Sequence, residues 1–86
     1  MSFQLSVITP SGEAFNAPVE SVLAPGMLGQ FVVLTGHAPI VAALKAGQLD
    51  IVADAKRQSF QIAEGVLEVD GSHQCLVLVE DFKQHP

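Results

Sequence analysis

The 86-residue chain reads as all-β, a small antiparallel β-sandwich of about ten short strands. Three features point there. Turn-forming residues recur every several positions, at Ser11-Gly12, Ala17-Pro18, Pro25-Gly26, Ala46-Gly47, Glu64-Gly65 and Asp70-Gly71-Ser72 among others. The runs between them are short, and several alternate apolar with polar residues, the period of a strand with one buried face. The one candidate helix, Ala38 to Ala46, carries Pro39 near its start and closes at Gly47. It reads as strand and turn, with a short helical turn possible only after Pro39.

Taken in order, Phe3-Gln4-Leu5-Ser6-Val7 opens the chain as an alternating strand, and Ser11-Gly12 turns it back. Phe31-Val32-Val33-Leu34 is too short for a typical helix and rich in residues that suit a pleated surface. Leu49–Val52 and Ser59–Ile62 pair as a hairpin closed by Asp54-Ala55-Lys56. Val66–Val69 pairs with Cys75–Val79, and Asp70-Gly71 reads as a tight turn because both positions tolerate positive φ. No linker, repeat or low-complexity stretch divides the chain, so residues 1–86 form a single domain with a core at about 3–80 and a tail at 81–86.

The stretch from Pro25 to Pro39 carries the most information. Three glycines and two prolines bracket its apolar run, so it reads as a turn, a buried strand and a second shaped turn. Its Gly-x-x-Gly has neither the Lys-Ser/Thr of a P-loop nor the third glycine of a dinucleotide fold, which argues against a phosphate cradle. Met27 and Leu28 follow Pro25-Gly26 directly, where a loop tip would carry polar residues. Either they fold back onto the core or they form a contact surface for another subunit. Gly36, His37, Ala38 and Pro39 make the second turn, in which the imidazole is placed to hydrogen-bond loop backbone and hold its shape.

Composition narrows the function classes. Hydrophobic residues make up 49% and charged residues 15%, against about 25% charged in an average soluble domain, so either part of the exterior lies under another protein, the favoured reading, or the sandwich is simply well filled. A chain of this length buries only about 60–65% of its unfolded surface, which makes help from a partner plausible. The net charge is −5 with no basic cluster beyond Lys56-Arg57, which argues against nucleic acid. No apolar run reaches the roughly 18 residues of a membrane span, and Met1-Ser2-Phe3-Gln4 does not open a signal peptide; membrane association is expected to be indirect. Cys75 is the single cysteine, in an apolar run that suits packing better than reactivity.

Catalysis finds no constellation. There is no Gly-x-Ser-x-Gly, and His73 with Cys75, neighbours on one strand face, would offer a poor thiolate inside an apolar run. His37, His73 and His85 lie on unrelated segments without metal-ligand spacing. No catalytic residue, metal or cofactor is expected.

Four ordered segments resemble the N-terminal β-sandwich of the epsilon subunit of F-type ATP synthases. Gly26 to Pro39 is similar to that family's Gly-x-x-Gly…Pro-Gly-His-Ala-Pro, and Val7-Ile8-Thr9-Pro10-Ser11-Gly12-Glu13 to its opening strand and turn. Ala42-Ala43-Leu44-Lys45-Ala46-Gly47 and Glu64-Gly65-Val66-Leu67-Glu68-Val69 resemble its Thr-Ala-Leu-Lys-Pro-Gly and Gly-Gly-Phe-Leu-Glu-Val segments. The resemblance implies a non-catalytic subunit of the rotating central stalk, which bridges the gamma subunit and the c-ring, couples proton-driven rotation to ATP synthesis, and sits at the cytoplasmic face of the bacterial inner membrane. It places Met27, Leu28, Gly29 and Gln30 on the ring-facing loop, Gly36 to Pro39 near the same end, and Thr9, Pro10 and Ser11 towards gamma.

Three departures stand out. Thr35 replaces a usual proline, and Leu28 and Gln30 occupy positions where acidic or polar residues are frequent. Longer members continue from Glu80-Asp81 into a helical hairpin with ATP-binding and inhibitory roles, whereas the expectation here is a short form without it. The rival reading is a free-standing β-sandwich binding module for a small ligand or protein. Such a module would display aromatics on one face, and this chain has no Trp or Tyr and five Phe.

Overall fold

A computed structural model describes residues 1–85. Among them are ten strands and no helix: β1 (Phe3–Thr9), β2 (Gly12–Val19), β3 (Ser21–Gly26), β4 (Gly29–Leu34), β5 (Ile40–Leu44), β6 (Gly47–Ala53), β7 (Lys56–Ile62), β8 (Gly65–Val69), β9 (Cys75–Val79) and β10 (Phe82–Gln84). The all-β expectation holds. No helical turn follows Pro39; Ile40–Leu44 is extended and pairs along its length with β8.

The strands follow the order β10-β7-β6-β3-β5-β8-β9-β1-β2, with β4 bonded to β3 outside that path. The sheet folds over at β3. Ser21–Leu23 pair with β6, whereas only Gly26 pairs with β5, at Leu44. Around that single pairing, β4-β3-β6-β7-β10 lies over β5-β8-β9-β1-β2 as the two layers of a sandwich. Alternation then sends Leu5, Val7, Leu49, Ile51, Leu67 and Val77 into the space between, each at most 1% exposed. One pair departs from the antiparallel expectation: β1 and β9 run parallel, Leu5 opposite Cys75 and Ile8 opposite Leu78. They are far apart in sequence, so no turn dictates their direction.

Both expected hairpins form, with different turn chemistry. β6 and β7 are joined by Asp54-Ala55 alone, at φ 52° and 60°, the geometry of a two-residue turn that matches strand twist; Lys56 is already in β7, opposite Ala53. The β8–β9 connection is not a tight Asp70-Gly71 turn. It runs from Asp70 to Gln74, and the positive φ falls on His73, at 62°. Asp70 organises it: Oδ1 accepts hydrogen bonds from the backbone N–H of Ser72 (2.8 Å) and Gln74 (3.1 Å), a side chain replacing backbone turn bonds.

The expected boundary at residue 80 also moves. Phe82–Gln84, read as tail, form β10 on the edge of β7. The Phe82 ring stacks on Phe60 with centroids 4.4 Å apart, and Phe15 of β2 meets Phe60 edge-on at 6.1 Å. Three of the five phenylalanines therefore close the sandwich between layers rather than forming a displayed aromatic face.

Candidate functional site

The sandwich has two ends, and the topology assigns each turn to one of them. From the β3–β4 turn the chain runs along β4 to Thr35–Pro39 and returns along β5, so these two loops lie at opposite ends, about 17–20 Å apart for a strand of this length. Gly36, His37, Ala38 and Pro39 are therefore not beside Met27–Gln30, contrary to the sequence expectation.

The geometry of this second turn is specific. Gly36 has φ +81°, and the His37 N–H donates to the Leu34 carbonyl at 3.0 Å. The His37 ring Nδ1 lies 2.6 Å from the Ala38 carbonyl oxygen, as donor. His73 joins them from the β8–β9 loop, its Nδ1 3.2 Å from the His37 carbonyl. Sequence reasoning placed His73 on a strand face beside Cys75; it lies instead in the loop before β9. Cys75 is buried, and burial pushes its thiol up to about 12, where it is no nucleophile.

At the other end, Met27 and Leu28 form the two-residue turn between the paired Gly26 and Gly29. Leu28 is 106% and Met27 58% exposed, so neither folds back onto the core. The Met27 N–H donates to the Ala43 carbonyl at 2.9 Å and the Lys45 N–H to that of Pro25 at 2.9 Å, which binds the tip to β5 in the other layer. Between tip and β5 lies a groove of about 480 Å³ that includes Gln30, Phe31 and Val41.

A second apolar feature begins at the same place. Ala43, Val66, Leu78 and Ile8 are successive register partners across β5, β8, β9 and β1, so they form one row on the outer face. Val66 and Leu78 are partly exposed, and Val41, two residues from Ala43 on the same face, is strongly so. The row ends at the β1–β2 turn, where the Ser11 N–H donates to Thr9 Oγ1 at 3.2 Å. Thr9 and Pro10 share a hollow of about 290 Å³ with Leu78, Glu64 and Glu80. Glu13 pairs with Ile8, and Glu68 lies between Val41 and Leu76, so acids rim the row. Sequence reasoning missed this surface, because its four members come from four separate segments and meet only through register.

Asp50 is the one charged residue buried among those described. Burial alone would raise its carboxyl, but hydrogen bonds from Arg57, Gln48 and Ser59 together with the Arg57 charge hold it below its ordinary value of 3.8. Its Oδ2 pairs with Arg57 and its Oδ1 accepts from Gln48 Nε2 at 2.8 Å. Both carboxylate oxygens are thus partnered within the chain. Among the described residues no three or more His, Cys, Asp and Glu are grouped to hold a metal.

The family profile of the ATP synthase delta/epsilon chain β-sandwich domain matches residues 2–85. The chain belongs to that family. The ATP synthase epsilon chain of Chlorobaculum tepidum is 42% identical over 80 residues, 92% of this chain and 91% of that one. That of Chlorobium limicola is 42% identical over 81 residues, 93% and 91% of the two chains. The fold also matches chains in two solved assemblies. One, from the Euglena gracilis mitochondrial ATP synthase OSCP/F1/c-ring, aligns with a TM-score of 0.90 at 19% identity, covering 96% of this chain and 53% of that one. The other, from the Tetrahymena thermophila central stalk and c-ring, gives 0.83 at 18%, covering 95% and 66%. As an epsilon-type chain it is a non-catalytic subunit of an ATP synthase, in the F1 portion of a membrane-associated complex.

Proposed function

We propose that the chain is a rigid element of the rotating central stalk, bridging gamma and the c-ring and transmitting proton-driven rotation to ATP synthesis at the cytoplasmic face of a bacterial inner membrane. In this reading Met27, Leu28, Gly29 and Gln30 face the ring. The outer row from Ala43 to Ile8, continued by Thr9, Pro10 and Ser11, faces gamma. The observation that carries it is the continuity of the two surfaces: the exposed tip and the in-register apolar row meet at Ala43, whose carbonyl accepts the Met27 N–H. A partner covering the row would bury its apolar residues and answer its acidic rim of Glu13, Glu64, Glu68 and Glu80 with basic side chains. Rigidity suits such a part, because torque passes through a closed sandwich with little local deformation.

The experiment replaces Val66 and Leu78 together by Asp in the assembled enzyme. Both are already partly exposed, so the domain should fold. Gamma should no longer co-elute with it, and ATP synthesis by vesicles carrying a proton gradient should fall. Retention of gamma at wild-type stoichiometry would remove the row from the gamma contact.

A further inference from the structure

We infer that the outer edge of β4 pairs antiparallel with the same edge of a second copy of the free chain, Val32 lying opposite its own counterpart across a two-fold axis. The strand order leaves edges at β10, β2 and β4. Proteins blunt such edges with charge, proline, bulges or short length, because unpaired N–H and C=O groups recruit other strands. β10 spans three residues and carries Lys83. β2 carries Glu13 and Pro18, with a register shift against Val7 and Ile8. β4, which reads Gly29-Gln30-Phe31-Val32-Val33-Leu34, has none of these devices. Apart from Gly29 and Gln30, it belongs to neither surface assigned above.

Neighbouring bonds fix which backbone groups the edge presents. Pro25 lacks an N–H and turns its carbonyl away from β4 to accept the Lys45 N–H at 2.9 Å, so its pair with Gln30 is one that makes no ladder bonds. At the far end of the strand the Leu34 carbonyl also faces away from β3, accepting the His37 N–H at 3.0 Å. Alternation then directs the N–H and C=O groups of Gln30, Val32 and Leu34 to the free edge. Their side chains lie on the outer face, where Val32 is 47% and Leu34 56% exposed. In a two-fold antiparallel pairing centred on Val32, this residue exchanges both bonds with its counterpart, and Gln30 does so with the second copy's Leu34. Every outward group finds a partner, and the apolar side chains meet across the seam. Charge favours a second copy as the occupant. The chain is −5 overall, so two copies repel through most of their faces, whereas β4 holds no ionisable residue.

Sedimentation of the full chain from about 10 μM to about 1 mM should show a monomer–dimer equilibrium, as mass action requires of a short seam. Over that range amide exchange should slow at least about threefold at Val32 and Leu34, and not at Val33, whose N–H is bonded within the hairpin. Val32→Lys should weaken dimerisation at least about tenfold, because the register sets two like charges face to face, and Val32→Glu should do the same. Mixed in equal amounts the two variants should pair again, since only a residue that faces its own counterpart turns repulsion into attraction in the mixture. Val32 is half exposed, so both variants should keep the wild-type urea midpoint. A wild-type chain that stays monomeric at about 1 mM, a dimer that survives Val32→Lys, or a mixture no more dimeric than either variant alone would overturn the pairing. Protection confined to β2 or β10 would place the seam on another edge and refute this one.

Discussion

Gly36 offers a clean test of how the far loop is held. Its φ of +81° lies in the left-handed region, and a Cβ built there meets nothing within 4 Å. Any cost of a side chain is therefore backbone strain alone. An L-residue in this region loses about 1–2 kcal/mol, from which the smaller freedom of the unfolded chain returns about 0.4–1 kcal/mol. Gly36→Ala should then destabilise by roughly 0.5–1 kcal/mol, and Gly36→Val, which adds β-branching, by more than about 1 kcal/mol. Gly36→Asn should cost least, since its side chain tolerates this conformation. D-alanine, introduced by chemical synthesis, reverses the sign and should stabilise by about 0.4–1 kcal/mol. For a domain of this size each kcal/mol moves the melting temperature by about 4–8 °C, so thermal and urea unfolding of the four variants resolve the order. Unchanged stability in Gly36→Val, or destabilisation by D-alanine, would refute the strain argument.

Three further outcomes follow from single residues. Ala55 holds φ 60° in the β6–β7 turn, so Ala55→Gly should stabilise by about 0.5–1 kcal/mol in urea unfolding, through relief of strain partly offset by unfolded-state entropy. Asp50 has a depressed carboxyl; its contribution is therefore complete above the unfolded value of 3.8 and is lost as pH falls through the folded value, so unfolding midpoints should drop below about pH 4 and Asp50→Asn should flatten that slope. Cys75, with its thiol raised to about 12, should react with a disulfide reagent at mildly alkaline pH only as fast as the domain opens, and at full rate in denaturant.

Much of the fold was legible because strands announce themselves locally. Phe3–Val7, Gln58–Ile62 and Val66–Val69 alternate with period two, and the pairing of β6 with β7 and of β8 with β9 follows from short separations. What escaped depends on residues distant in sequence. The parallel β1–β9 pair has no turn to predict it. Phe82 marks β10 only once Phe60 and Phe15 are known to be beside it. The tip residues Met27 and Leu28 were singled out correctly as anomalous, and the structure decides between core and surface by leaving them exposed. The misplacement of Gly36–Pro39 came from resemblance; the direct reading that β4 separates the two turns already implied opposite ends. The apolar row through Ala43, Val66, Leu78 and Ile8 was invisible, since each residue alone is an ordinary strand position.

The most direct measurement is co-purification of the tagged chain with its detergent-solubilised enzyme, comparing wild type with the Met27→Ser/Leu28→Ser double variant. The wild type should bring gamma and the c-ring. The variant should unfold at nearly the wild-type urea concentration, as exposed substitutions usually cost within about ±0.5 kcal/mol, and should keep gamma while losing ring, as apolar anchors removed from an interface commonly cost about 1–2 kcal/mol each. A wild-type chain that brings neither partner, or a variant that holds the ring as firmly as wild type, would contradict the account.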